Sequence, residues 1–113
     1  MPMREIPRQE WQSFLDDFSQ EHEGWLVNLE VQSDGRSQTE AEGLPLVGIS
    51  ADCKGSEAPA IEIMLGDRGA DHVTHSVSGP SMVSVSDGVG GGEDLVIESP
   101  ADGRVVAHLR ASG

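Results

Sequence analysis

The chain has 113 residues, 36% of them hydrophobic, which is typical of one folded domain (1–113) and not of a disordered segment. Twenty acidic residues against seven basic ones give a net charge of −13, a field that repels nucleic-acid phosphates and anionic lipid, so we predict neither partner. The first residues, MPMREIPRQE, lack the apolar region of a signal peptide, and no apolar run is long enough to span a bilayer. The single cysteine allows no internal disulfide. We therefore expect a soluble, cytoplasmic protein.

The acidic composition has two interpretations, and the sequence leaves both open. One is a solvated surface that keeps the protein soluble. The other is salt adaptation, which fits the single lysine (Lys54) and the absence of tyrosine. High ionic strength would screen the repulsion among the carboxylates, because the Debye length falls to about 3 Å at 1 M salt.

The aromatic residues lie near the N terminus, where they predict a helix from about residue 7 to about residue 23. The large apolar residues recur at helical spacing and form one face: Trp11, Phe14, Leu15 and Phe18. Gly24 suits the position just after the helix. No aromatic residue follows Trp25 in the sequence. We therefore expect this helix face to supply the large side chains of the core, and Trp25 to connect the helix to the sheet. The alternative is a stripe that binds a partner.

From residue 25 the apolar period changes to two, which predicts a β-meander over about 25–110. The predicted strands are 25–31, 36–42, 44–53, 61–65, 71–77, 82–86, 95–99 and 104–110. Gly43 is predicted to end the second strand, while Pro45 and Gly48 indicate an edge, bulge or bend in the third. The pattern predicts an α+β fold: one N-terminal helix packed on a mostly antiparallel, strongly twisted sheet, or a small β-barrel, of about seven to eight strands.

Candidate catalytic or metal-binding residues are few, and their spacing argues against a shared site. His72 and His75 are three residues apart, so a strand directs them to opposite faces. Cys53 follows Asp52, whose negative charge disfavours a thiolate. We therefore predict no catalytic residue, no metal and no cofactor. The alternative is a small metal-dependent or hydrolytic enzyme that uses His72, His75 and Cys53.

Four segments of the chain resemble a family of small bacterial domains of unknown function: IPRQEWQSFLDDFSQEHEGWLVNLEV, GLPLVGISAD, IEIMLGD and HVTHSVSGP. The resemblance spans roughly residues 3–110, and the opening helix and the LPLVGISAD strand are its most specific parts. It implies a bacterial origin and one small domain in which the helix, Trp25 and that strand form one framework. It implies no activity, cofactor or catalytic residue.

These observations favour a non-enzymatic binding or protein-interaction module with an unknown protein or small-molecule partner. The predicted binding rim combines residues 43–53, whose backbone is irregular, with the strand that carries His72 and His75. A homodimer formed through an edge strand is a third possibility, by way of residues 36–42 or 104–110.

Overall fold

The computed structural model describes residues 4–52, 60–66, 72–87, 92–100 and 103–111. The helix and strands in these ranges are β1 (Arg4–Glu5), α1 (Trp11–Glu21), β2 (Leu26–Ser33), β3 (Arg36–Asp52), β4 (Ala60–Gly66), β5 (His72–Ser78), β6 (Met82–Asp87), β7 (Glu93–Ser99) and β8 (Gly103–Arg110). The eight strands described form one antiparallel sheet in the order β1-β6-β7-β8-β2-β3-β4-β5. The sheet is not closed into a barrel. The predicted helix-and-sheet fold is confirmed in its open form.

The longest strand, β3, takes part in two successive pairings. Residues 36–45 pair with β2, and residues 46–52 pair with β4. The prediction that Gly43 ends a strand was wrong, because β3 continues through it with a φ of +66°. Glycine tolerates this left-handed conformation, and the Gly43 N–H donates to the Asn28 side chain at 2.7 Å. The chain therefore passes from one partner strand to the next without interruption.

The predicted helix is present, but it ends two residues early. A 3₁₀ turn (Arg8–Glu10) leads into α1, and the chain leaves the helix through His22. Of the predicted apolar face, Trp11, Leu15 and Phe18 are buried. The fourth residue, Phe14, is half-buried. The Trp11 indole N–H donates to the Ile6 carbonyl at 2.9 Å. The prediction that this face packs into the core is confirmed.

One hydrophobic core joins the helix to the sheet. Aliphatic side chains of the strands fill most of it, and Leu29, Ile63, Leu95 and Ile97 are fully buried. Each such side chain stabilises the fold by roughly 1.5–3 kcal/mol relative to an exposed one. Trp25 is half-buried and packs against the same cluster, as expected for the residue that joins helix and sheet.

Candidate functional site

Ser19 fixes the helix to β3. Its hydroxyl oxygen accepts a hydrogen bond from the Ile49 N–H at 2.7 Å. The same oxygen lies 2.7 Å from the Leu15 carbonyl and 2.8 Å from the Ile49 carbonyl, and it donates to one of them. After the helix, the Gly24 N–H donates to the Leu46 carbonyl at 3.0 Å. The helical segment is thus held along residues 46–49 of β3.

A β-bulge lies in β3 where it passes the helix. Leu46 pairs with Leu65 of β4 and Gly48 pairs with Met64, so Val47 is the extra residue. Leu46 and the residue three positions later, Ile49, are both buried, although a regular strand would place them on opposite faces. The bulge therefore leaves two consecutive residues, Val47 and Gly48, on the outer side of the strand.

Val47 is 50% exposed and is the one exposed large hydrophobic side chain among the residues that the structure describes. It lines a groove of about 250 Å³ between the helical segment and β3, called here the helix–strand groove. One wall carries three exposed polar residues, Asp16, Gln20 and Glu23. Met64 of β4 lines the groove as well. None of the described residues that line the groove is basic, so its apolar surface lies beside two carboxylates.

The described structure does not bring the predicted enzyme residues together. His72 is exposed on β5, while His75 is partly buried on the face shared with Val73 and Val77. The expectation that the two histidines point to opposite faces is confirmed. Cys53 lies outside the described residues. Within the described ranges, no group of three or more histidine, cysteine, aspartate and glutamate side chains could hold a metal ion.

His75 nevertheless has an unusual environment. Its Nε2 atom is buried and has no hydrogen-bond partner in the part of the chain that is described. A buried polar atom without a partner is costly and uncommon in folded proteins. His75 pairs in register with the fully buried Ile63 of β4, so the ring lies at the outer margin of the core.

His22 is a buried histidine that the sequence did not single out as a site residue. Its Nδ1 lies 2.7 Å from the Phe18 carbonyl, and its Nε2 lies 2.7 Å from the Glu93 carboxylate. The ring stacks on Phe18 at 4.1 Å and meets Trp25 edge-on at 4.5 Å. Both ring nitrogens therefore lie within hydrogen-bonding distance of an oxygen atom. His22 therefore links the end of the helix to β7, and no sequence pattern marks Glu93 as its partner.

The strand edges that were candidates for pairing have different surroundings. Residues 36–45 of β3 pair with β2 alone in the described structure, and residues 36–40 are exposed, which confirms the predicted edge. In contrast, β8 lies between β7 and β2 and is hydrogen-bonded to both. The proposal of a dimer through residues 104–110 therefore fails, because that strand has no free edge.

Comparison with known proteins gives a family match. A model described as a family of unknown function (DUF5335) matches residues 2–112. This confirms the predicted resemblance and extends it over nearly the whole chain. No curated protein and no solved structure matches. Among the described residues, no helix is both long enough and apolar enough to cross a membrane.

Proposed function

Because the chain belongs to this family of unknown function, DUF5335, we propose its role from the helix–strand groove. We infer that the chain is a non-enzymatic interaction module. Its groove binds a segment of a partner protein that carries basic side chains beside an apolar one. The exposed Val47 on the bulge of β3 carries this proposal. The enzyme alternative gains no support from the described histidines, which diverge on β5.

The apolar part of the proposal depends on Val47 and Met64. Val47 is half exposed, so covering its remaining surface would contribute about 1 kcal/mol to binding. Met64 is a flexible side chain that adapts its shape to different apolar partners. Together they provide an apolar contact point on the protein surface. No other large hydrophobic side chain among the described residues is exposed.

Charge determines which kind of segment fits. Asp16 and Glu23 lie on one wall of the groove, and none of the lining residues that the structure describes is basic. The net charge of −13 attracts cationic groups over a longer range and speeds their encounter with the surface. A lysine or arginine beside an apolar residue would therefore match both parts of the groove.

The test is an NMR titration of the ¹⁵N-labelled protein with a short peptide of alternating lysine and leucine. We expect the chemical-shift changes to concentrate at residues 16–23 and 46–50, and the affinity to fall as salt is added. A peptide with glutamate in place of lysine should not bind, and one with serine in place of leucine should bind more weakly.

Two matched variants separate the groove from the general acidity of the surface. Asp16→Asn with Glu23→Gln removes two groove charges, each of which contributes about 0.5 kcal/mol, so the affinity should fall about fivefold. Asp17→Asn with Glu21→Gln removes the same charge from exposed helix positions outside the groove lining. Equal losses in both variants would show non-specific attraction and refute the groove as the binding site.

A further inference from the structure

We propose that two copies of this chain associate through β5, whose residues 73–77 pair antiparallel about a two-fold axis at His75. The partner is a second copy of the same chain, and the sheet continues from one protomer into the other. None of the described residues that line the helix–strand groove belongs to β5, although Thr74 pairs in register with Met64 of the groove.

In the described structure, β5 is an edge strand whose own residues do not protect it from pairing with a further strand. It is the terminal strand of the described sheet, and it pairs with β4 over its whole length without a register shift. Proteins usually protect such edges with charged side chains, proline or bulges, and His72–Ser78 has none of these. The Ser78 carbonyl accepts a hydrogen bond from the Ser99 hydroxyl at 2.6 Å, so the stretch available for pairing ends at Val77.

The edge formed by residues 36–45 of β3 differs in these respects. Its pairing with β2 contains two register shifts. Its exposed residues include Arg36, Glu40 and Glu42. Irregular register and charge both oppose the addition of a further strand, so β5 is the better candidate for self-association.

Electrostatic repulsion between two copies also favours β5 as the interface. Two chains that each carry a charge of −13 repel one another, so they approach most easily where neither presents charge. Residues 72–86 form the longest stretch of this chain without aspartate, glutamate, lysine or arginine, and β5 lies within it. On the neighbouring strand, Glu62 pairs in register with Ser76, one strand removed from the proposed interface.

The sequence of β5 is self-complementary in an antiparallel pair. With the axis at His75, Val73 meets Val77 of the second copy, and Thr74 meets its Ser76. Strand periodicity keeps core-side residues together and exposed residues together in this register. Pairs of β-branched and of hydroxyl side chains are favourable across antiparallel strands. Moving the axis to Thr74 would instead place Val73 opposite His75.

The test is sedimentation equilibrium on the wild-type chain and two charge variants. Thr74→Lys with Ser76→Lys places like charges opposite each other twice per dimer and should weaken dimerisation at least tenfold, since like charges directly across a strand pair are unfavourable. Thr74→Glu with Ser76→Lys places opposite charges there and should retain the dimer. Both positions are exposed, so the protomers should stay folded, as circular dichroism would verify.

A control pair on the other edge, Ser37→Lys with Thr39→Lys, should leave the dimer intact, as should the groove variant Asp16→Asn with Glu23→Gln. Three results would overturn the proposal: a wild-type chain that stays monomeric up to about 1 mM, a range that detects even weak dimers; equal behaviour of the two β5 variants; or loss of the dimer in the control on β3. A monomer would leave the groove proposal standing.

Discussion

Replacing Trp11 with alanine tests whether the N-terminal helix supplies the core. Trp11 is 2% exposed, and its indole N–H is bonded to the Ile6 carbonyl. Removing a buried tryptophan side chain costs about 3–5 kcal/mol, and the carbonyl left without its partner adds about 1 kcal/mol. The expected loss of about 4–6 kcal/mol is comparable to the whole stability of many domains, about 5–15 kcal/mol.

Urea denaturation followed by circular dichroism measures this loss, and the fluorescence of the remaining Trp25 gives a second probe of the same transition. Trp11→Phe keeps part of the apolar ring but removes the rest of the indole together with its N–H, so it should cost about 1–3 kcal/mol, less than Trp11→Ala. Phe14 provides an internal control on the same helix. It is only half-buried, so Phe14→Ala should cost about 2 kcal/mol, which is less than a fully buried ring would lose.

The order of the losses matters as much as their size. A loss of stability below about 1 kcal/mol for Trp11→Ala would contradict the burial of this side chain, because removing an aromatic side chain from a core costs more than that. A loss for Phe14→Ala equal to that for Trp11→Ala would show that the helix is rotated relative to the packing described above.

Two further predictions concern the Ser19 hydrogen bond to β3 and the close approach of the backbone at Gly103. Ser19→Ala leaves the Ile49 N–H without its acceptor and should lower the free energy of unfolding by about 1–3 kcal/mol, as measured by urea titration; an unchanged midpoint would show that the bond contributes nothing. Gly103→Ala should destabilise much more than Gly35→Ala in thermal melts. Both glycines have positive φ, but a Cβ at Gly103 would lie 2.4 Å from the Gln32 carbonyl oxygen, whereas the space around Gly35 is open. Equal shifts in melting temperature would contradict the close approach at Gly103.

The sequence predicted the elements well where one periodicity persists over several residues. The helical spacing of Trp11, Leu15 and Phe18 located the helix, and alternation located most strands. It failed at Gly43, because the side chain that satisfies this residue's N–H, Asn28, belongs to another strand and comes close only in the folded chain. The two-residue β1 was also missed, since Arg4–Glu5 is too short to show any periodicity.

The candidate sites were less accessible to prediction. Pro45 and Gly48 indicated an irregular strand, and the bulge lies between them, but the exposure of Val47 depends on where the helix packs. The buried contact of His22 with Glu93 joins residues that are far apart in the sequence. The uncharged stretch 72–86 was visible in the sequence, yet its significance appears only once β5 is known to be the terminal strand.

The position of β8 has a consequence for how the chain is made. Translation proceeds from the N terminus, so β8 is the last of the described strands to be synthesised, although it lies inside the sheet between β7 and β2. Its pairing joins Leu26 with Arg110, across most of the chain. Contacts of such long range slow folding. Until β8 is available, β2 and β7 expose backbone groups that could pair with other chains. We therefore expect the protein to be more prone to aggregation during its synthesis than after β8 has joined the sheet.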